Sequence, residues 1–171
     1  MEITSMTSFI PYWQGIRERT WGVVRRIPDE RLEWRAGEGR MSFGDLIRHL
    51  AVFERYVFAE NVVGRPSRYG GHGRDLADGP AAVQAFLVET HAEAIAIFRG
   101  IDDEALQRRC VTPAGASITT WKWLRAMVEH EVHHRGQLYL MLGLLGVATP
   151  PVFGLTAEEV LANSLPPDRQ T

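Results

Sequence analysis

His130-Glu131-Val132-His133-His134-Arg135-Gly136-Gln137 puts three imidazoles within five positions, inside an apolar pattern that repeats every three to four residues. That repeat is the period of an α-helix. At about 100° per residue, with His134 as zero, Trp123, Met127, His130, Leu138, Met141 and Leu145 all fall within about 40° of it. His133 lies about 100° away. The stretch therefore reads as one long amphipathic helix whose inward stripe carries His130 and His134 one turn apart, with His133 toward the flank or solvent. Ser117 or Thr119 offers an N-cap, and Gly146 is the natural stop.

Working outward, three further segments show the same period. Phe9, Tyr12, Trp13, Ile16, Thr20, Val23, Val24 and Ile27 mark a first helix, with Ser8 as its cap, Pro11 in its opening turn and Pro28 closing it. Ser42 caps a second, whose stripe is Leu46, Leu50, Phe53 and Val57. Pro80 opens a third, which presents Val83, Phe86, Leu87, Thr90, Ala94, Ile97 and Phe98 and ends at Gly100. The helices span roughly 8–27, 43–63, 80–99 and 118–145, and no convincing period-2 run interrupts them. Four amphipathic helices, none able to bury its stripe alone, pack most simply as an all-α four-helix bundle. The bundle occupies 1–171 as a single domain. The connections are long, and the one from Gly64 to Gly79 is rich in glycine. Thr156 to Ala162 reads as a short fifth helix, and the Pro166 to Thr171 tail as loose.

Composition narrows the function classes. With 45% hydrophobic and 23% charged residues in a chain of 171, a self-supporting core is expected. Nineteen basic against 21 acidic side chains, with no basic run, speak against nucleic acid. The first thirty residues carry no signal pattern, and the longest apolar stretch, Leu138 to Ala148, is too short to span a bilayer, so a cytoplasmic location and no membrane partner are expected. The single cysteine, Cys110, has no thiol partner for a disulfide or a metal cluster and reads as a small buried hydrophobe.

Two inward imidazoles at i and i+4 form a two-point grip for a divalent metal, and a third ligand is needed from another helix. His49 sits near the edge of the second helix's stripe, His91 at the flank of the third, and His72 in the Gly-rich loop. A helix holds a ligand more rigidly than a loop, so His49 completes the set with His130 and His134. Imidazole suits zinc, nickel, iron and copper, and zinc or nickel is the ion expected here. The same stretch also matches H-E-x-x-H, the zinc-protease motif. Its extended form fails here, because Leu140 and Met141 occupy the region where glycine and histidine should follow.

The chain resembles the DinB family, the DinB/YfiT-like metalloenzymes. The resemblance rests on Trp34-Arg35, on Ser42-Phe43-Gly44-Asp45-Leu46-Ile47-Arg48-His49-Leu50, and on His130-x-x-x-His134-Arg135-Gly136-Gln137 followed by Leu142-Gly143 and Leu145-Gly146. It implies a metal on His49, His130 and His134, with water or substrate completing the shell, and frequently a homodimer. It also implies a thiol-dependent S-transferase or isomerase acting on a small molecule with a low-molecular-weight thiol cosubstrate such as bacillithiol, mycothiol or glutathione. The alternative is a non-catalytic metal or ligand binder. Glu131, about 60° from His134, is the candidate general base. Tyr56, Arg135 and Gln137 are the candidate pocket residues, and the loop bearing Tyr69, His72 and Arg74 is expected to cover the open metal position.

Overall fold

Ser42 starts the second helix as expected. Its hydroxyl accepts from the Asp45 N–H, and the Asp45 carboxylate accepts from the Ser42 N–H, each at 3.0 Å. This reciprocal pair satisfies two N–H groups that the first turn leaves free. The computed structural model describes residues 2–164. In it this arm runs as α2 (Phe43–Val52), a π-helical turn (Phe53–Phe58) and α3 (Ala59–Val62). The unbroken α-period expected to 63 therefore fails after residue 52. A π turn takes an extra residue and rotates everything after it. The result is that Glu54 faces the core while Phe53 lies at its edge.

The first helix, α1 (Met6–Val24), begins earlier than Ser8 because Ser5 takes the cap position and Asp103 accepts from the Met6 N–H at 2.7 Å. Pro11 is thereby inside the helix on its exposed side, not in its opening turn. The helix also ends earlier than expected, since the Arg26 and Ile27 N–H groups turn back to Val23 and Val24 in a tighter, three-residue pattern. The third helix, α4 (Pro80–Arg99), matches its expected bounds. It is long and apolar enough to cross a membrane by length and composition alone, which the Leu138 to Ala148 reading overlooked. Its Val83, Leu87, Ala94 and Phe98, however, are buried in the bundle. The fourth helix is α5 (Thr120–Leu144), with Gly146 behind it at φ 69°, a left-handed conformation suited to glycine.

The architecture is the expected all-α four-helix bundle. α1 packs on α4 and α5, and α2 packs on α4 and α5, so the first two helices of the sequence lie across the bundle from one another. One element was not expected. Arg109–Val111 (β1) pairs antiparallel with Ser117–Thr119 (β2), placing the buried Cys110 opposite Ile118. Three-residue strands are too short to leave a period-2 signature. The short fifth helix, α6 (Ala157–Ser164), buries none of its residues. The Pro166 to Thr171 tail lies outside the described residues.

The core is split. One apolar cluster gathers Phe9, Trp13, Ile16, Phe58, Phe98 and Leu124, and a second gathers Val23, Phe43, Leu46, Leu87, Leu138 and Leu142. On each helix the stretch between the two clusters carries inward polar residues: Arg17 and Thr20, Glu54, Thr90 and His91, Glu131 and Arg135. A polar layer thus crosses the bundle at mid-height.

Next to His49, the fully buried Arg48 pairs with Glu33, with Asp45 at 3.2 Å, and donates from Nε to the Ala77 carbonyl at 2.8 Å. It fastens the far end of the long connection onto α2. Removing one partner of a buried ion pair leaves the others desolvated and unpaired. Arg48→Ala is expected to lower the unfolding free energy by about 3 kcal/mol, read by chemical denaturation; a loss under about 1 kcal/mol would show that the pairing is inconsequential.

Candidate metal centre

His49 projects from α2, and His130 and His134 project from the adjoining α5. One ring nitrogen from each lies within 4.8 Å of the others, and the Nε2 atoms of His49 and His130 are 3.0 Å apart. In a tetrahedral shell with metal–nitrogen bonds of about 2.0–2.1 Å, ligand nitrogens stand about 3.3 Å from one another. The observed spacings bracket that value, so small ring rotations suffice to seat a divalent ion. All three residues are only partly exposed and lie at the margin of the bundle. His130 is backed by Phe53, stacked at 4.7 Å between centroids, and His49 lies against the same ring at 4.4 Å.

The hydrogen bonds decide which nitrogens are available. His134 Nδ1 is 2.8 Å from Gln137 Oε1, an acceptor, so this nitrogen carries the proton and Nε2 is free to ligate. The Gln137 amide N–H in turn reaches His133 Nε2 at 3.2 Å. Gln137 therefore belongs to the site as the partner of a ligand, and His133, read as a solvent-side residue, steadies that partner. On the other side, His49 Nδ1 is 3.1 Å from the Tyr69 hydroxyl, which is itself 2.7 Å from His72 Nδ1. The long loop thus lies against the site, as its length had hinted. Arg74 does not join it, being paired with Asp78 at the surface.

Burial, followed by the neighbouring imidazoles His134 and His72, pushes His49 down to about 4. Burial and then His134 push His130 down to about 3. Burial also lowers His134, against the opposing pull of Gln137. All three are thus neutral near pH 7, the form that binds metals.

The buried face of α5 and the expected roles of Glu131, Arg135 and Tyr56 are corrected. The buried stripe of α5 is Leu124, Met127, Glu131, Arg135, Leu138 and Leu142, centred on Glu131 and not on His134. Glu131 points into the polar layer, where its carboxylate is 3.3 Å from Arg17 Nη1, and burial raises its pKa despite that guanidinium. It is a structural acid and not the base of an H-E-x-x-H protease. Arg135 is buried beside it and donates to the Ile16 carbonyl at 3.2 Å, so it does not line a pocket at the rings. Tyr56 carries the Arg55 and Arg68 guanidinium groups on its ring and accepts the Arg68 N–H at its carbonyl; it anchors the loop and does not line the metal position. His91, set aside as a ligand, accordingly lies elsewhere, 2.7 Å from Glu54 Oε1.

The depressed histidines have a consequence for stability. An unfolded imidazole titrates near 6.5, above the values of about 4 and about 3 held by His49 and His130 in the fold, so falling pH protonates the unfolded chain first. The metal-free protein should keep its full stability from this source above about pH 6.5 and lose it progressively toward about pH 4. Thermal melts across that range check this, and a His49→Gln variant should show a shallower decline. An equally steep one would mean that other groups carry the acid sensitivity.

Residues 12–138 match the family model described as the DinB superfamily. A search of curated proteins found no match. Among solved structures, a DinB-like protein from Bacillus cereus superposes with a TM-score of 0.75 at 15% identity, over 86% of this chain and 97% of that one. YfiT from Bacillus subtilis, described as a probable metal-dependent hydrolase with an unusual four-helix bundle topology, gives 0.64 at 18% identity, over 84% and 89%. A mycothiol-dependent maleylpyruvate isomerase gives 0.57 at 15%, over 80% of this chain and 63% of its own. At such identities the likeness to each structure is one of fold. Matched from its first bundle helix into its fourth, the chain belongs to the DinB superfamily.

Proposed function

We propose that this protein is a metal-dependent enzyme in which His49, His130 and His134 hold one divalent ion, zinc or nickel, and in which the nucleophile is a low-molecular-weight thiol or, failing that, water. The observation that carries the reading is the convergence of three neutral imidazole nitrogens within 4.8 Å at the half-exposed edge of the bundle. A divalent ion held by three uncharged ligands keeps its full charge and an open position, so it lowers the pKa of a bound thiol or water toward neutrality.

The chain's own residues prepare that site. Gln137 fixes the ring of His134, and Phe53 packs behind His49 and His130, which limits their rotation. Tyr69 and His72 form an outer wall beside His49. Three protein ligands, where a purely structural site has four that close the shell, leave a position for substrate and so favour an enzyme. Two structural neighbours are named in keeping with this chemistry, one as a probable metal-dependent hydrolase and one as a mycothiol-dependent isomerase. They guide the choice of assays.

Elemental analysis of the purified protein should find about one divalent ion per chain, and His49→Ala and His134→Ala should each lose most of it. Stoichiometric metal in both variants would refute the ligand set. With zinc or nickel restored, conjugation of small electrophiles should proceed with at least one of bacillithiol, mycothiol and glutathione. If no thiol gives a metal-dependent rate, while small esters or amides are hydrolysed, water is the nucleophile. If neither assay responds, the site binds metal without catalysing these reactions.

A further inference from the structure

The loop between α3 and α4 reaches the metal centre through one side chain. Tyr69 is 41% exposed, yet its hydroxyl sits between two imidazoles, 3.1 Å from His49 Nδ1 and 2.7 Å from His72 Nδ1. Its ring rests 4.9 Å from Phe53, the same ring that backs His49 and His130. The loop is tied at both ends. Asn61 donates to the Arg65 carbonyl at 3.1 Å and bonds Ser67, Arg65 and Arg68 both reach the buried Glu60, and Arg48 holds the Ala77 carbonyl. These ties bring Tyr69 to His49 before any ligand arrives.

We infer that Tyr69 is a positioning residue that fixes the ring proton of His49 on Nδ1, with His72 orienting the Tyr69 hydroxyl, so that His49 Nε2 is presented to the metal. The inference rests on the three-histidine reading above.

Two arrangements satisfy the donor count, and the one that leaves a lone pair on His49 Nε2 for a metal has Tyr69 donating to His72 Nδ1. A phenol has one proton to donate and lone pairs to accept with. If Tyr69 donates to His72 Nδ1, its oxygen is left to accept, and the proton on that side of His49 must be on Nδ1. A neutral imidazole has one N–H, so His49 Nε2 then holds a lone pair. The 3.0 Å contact with His130 Nε2 is consistent: two lone pairs would repel at that distance, so His130 supplies the N–H in the metal-free form. When the ion enters it takes the lone pair that His49 already offers. Only His130 must move its proton to the other nitrogen. Without the Tyr69 hydroxyl, the His49 proton has no acceptor at Nδ1 and redistributes toward Nε2, where it blocks ligation. On the opposite side, Gln137 performs the same task for His134 from its own helix, so the two ligands are set by different means, one local and one from a loop.

Tyr69→Phe keeps the ring and removes only the oxygen. Nitrogen-15 NMR of the histidine side chains in the metal-free protein reads the tautomer directly. The wild type should show His49 protonated at Nδ1, and Tyr69→Phe should show a substantial population protonated at Nε2. Zinc affinity, measured by competition with a chromophoric chelator, should fall about 10- to 100-fold in Tyr69→Phe, the usual cost of losing a partner of a metal-ligating histidine. His72→Ala should shift both readouts in the same direction by less. The melting temperature of metal-free Tyr69→Phe should stay close to wild type, because the side chain is exposed. An unchanged His49 tautomer in Tyr69→Phe would overturn the inference even if zinc affinity fell, since the loss would then come from loop packing. If the wild type binds no zinc, the metal reading fails, while the tautomer measurement on the metal-free protein still decides the role of Tyr69.

Discussion

Glu54 is the group on which the arrangement of the bundle depends. Its carboxylate receives the Trp13 indole N–H at 2.6 Å and the Arg17 guanidinium from α1, and lies 2.7 Å from His91 Nδ1 on α4. Arg17 continues the connection to Glu131 on α5. All four helices therefore meet in one buried polar cluster. Burial opposes charge on Glu54, but the Arg17 charge together with His91 and Trp13 holds its pKa below the usual range. Glu131 lacks comparable support, and burial holds its pKa up. Glu131 therefore holds its charge less readily than Glu54 does. The buried pair of Arg17 and Glu54 adds little net stability over an apolar core, yet it penalises any rotation of a helix that would leave one member alone.

That penalty determines where the metal centre sits. With Glu131 drawn toward Arg17, the inward face of α5 is centred on Glu131, and His130 and His134 are turned toward α2 at the edge. The π turn contributes from the other side. By taking an extra residue after Val52 it lets Glu54 enter the interior while His49 and Phe53 stay at the margin. A triad at the centre of the bundle would be walled in by two apolar clusters. At the edge it meets the long loop through Tyr69 and His72.

The sequence disclosed the three-histidine cluster more readily than its surroundings. The i, i+4 spacing and a third histidine on another amphipathic helix are local signals, and they singled out the three residues that converge. The orientation of α5 was misread by about 60° because apolar residues alone were used to define the buried face. Glu131 and Arg135 are buried by their partners, and a pattern of hydrophobicity has no means of detecting a charge that pairs across the bundle. The π turn was illegible for a similar reason, since its benefit lies in contacts with α1 and α4. Gln137 had a detectable signal, being an amide three residues after a ligand. Tyr69 and His72 had only the length of their loop, because contact between residues 20 apart depends on how Asn61 and Arg48 fasten its ends.

The loop from Gly64 to Gly79 is fastened by Arg48, Glu60 and Asn61, all on the helices that precede it, and it contributes nothing to either apolar cluster except the edge contact of Ala77. Replacing residues of this stretch other than Tyr69 and His72 would therefore leave both apolar clusters and the contact with His49 in place.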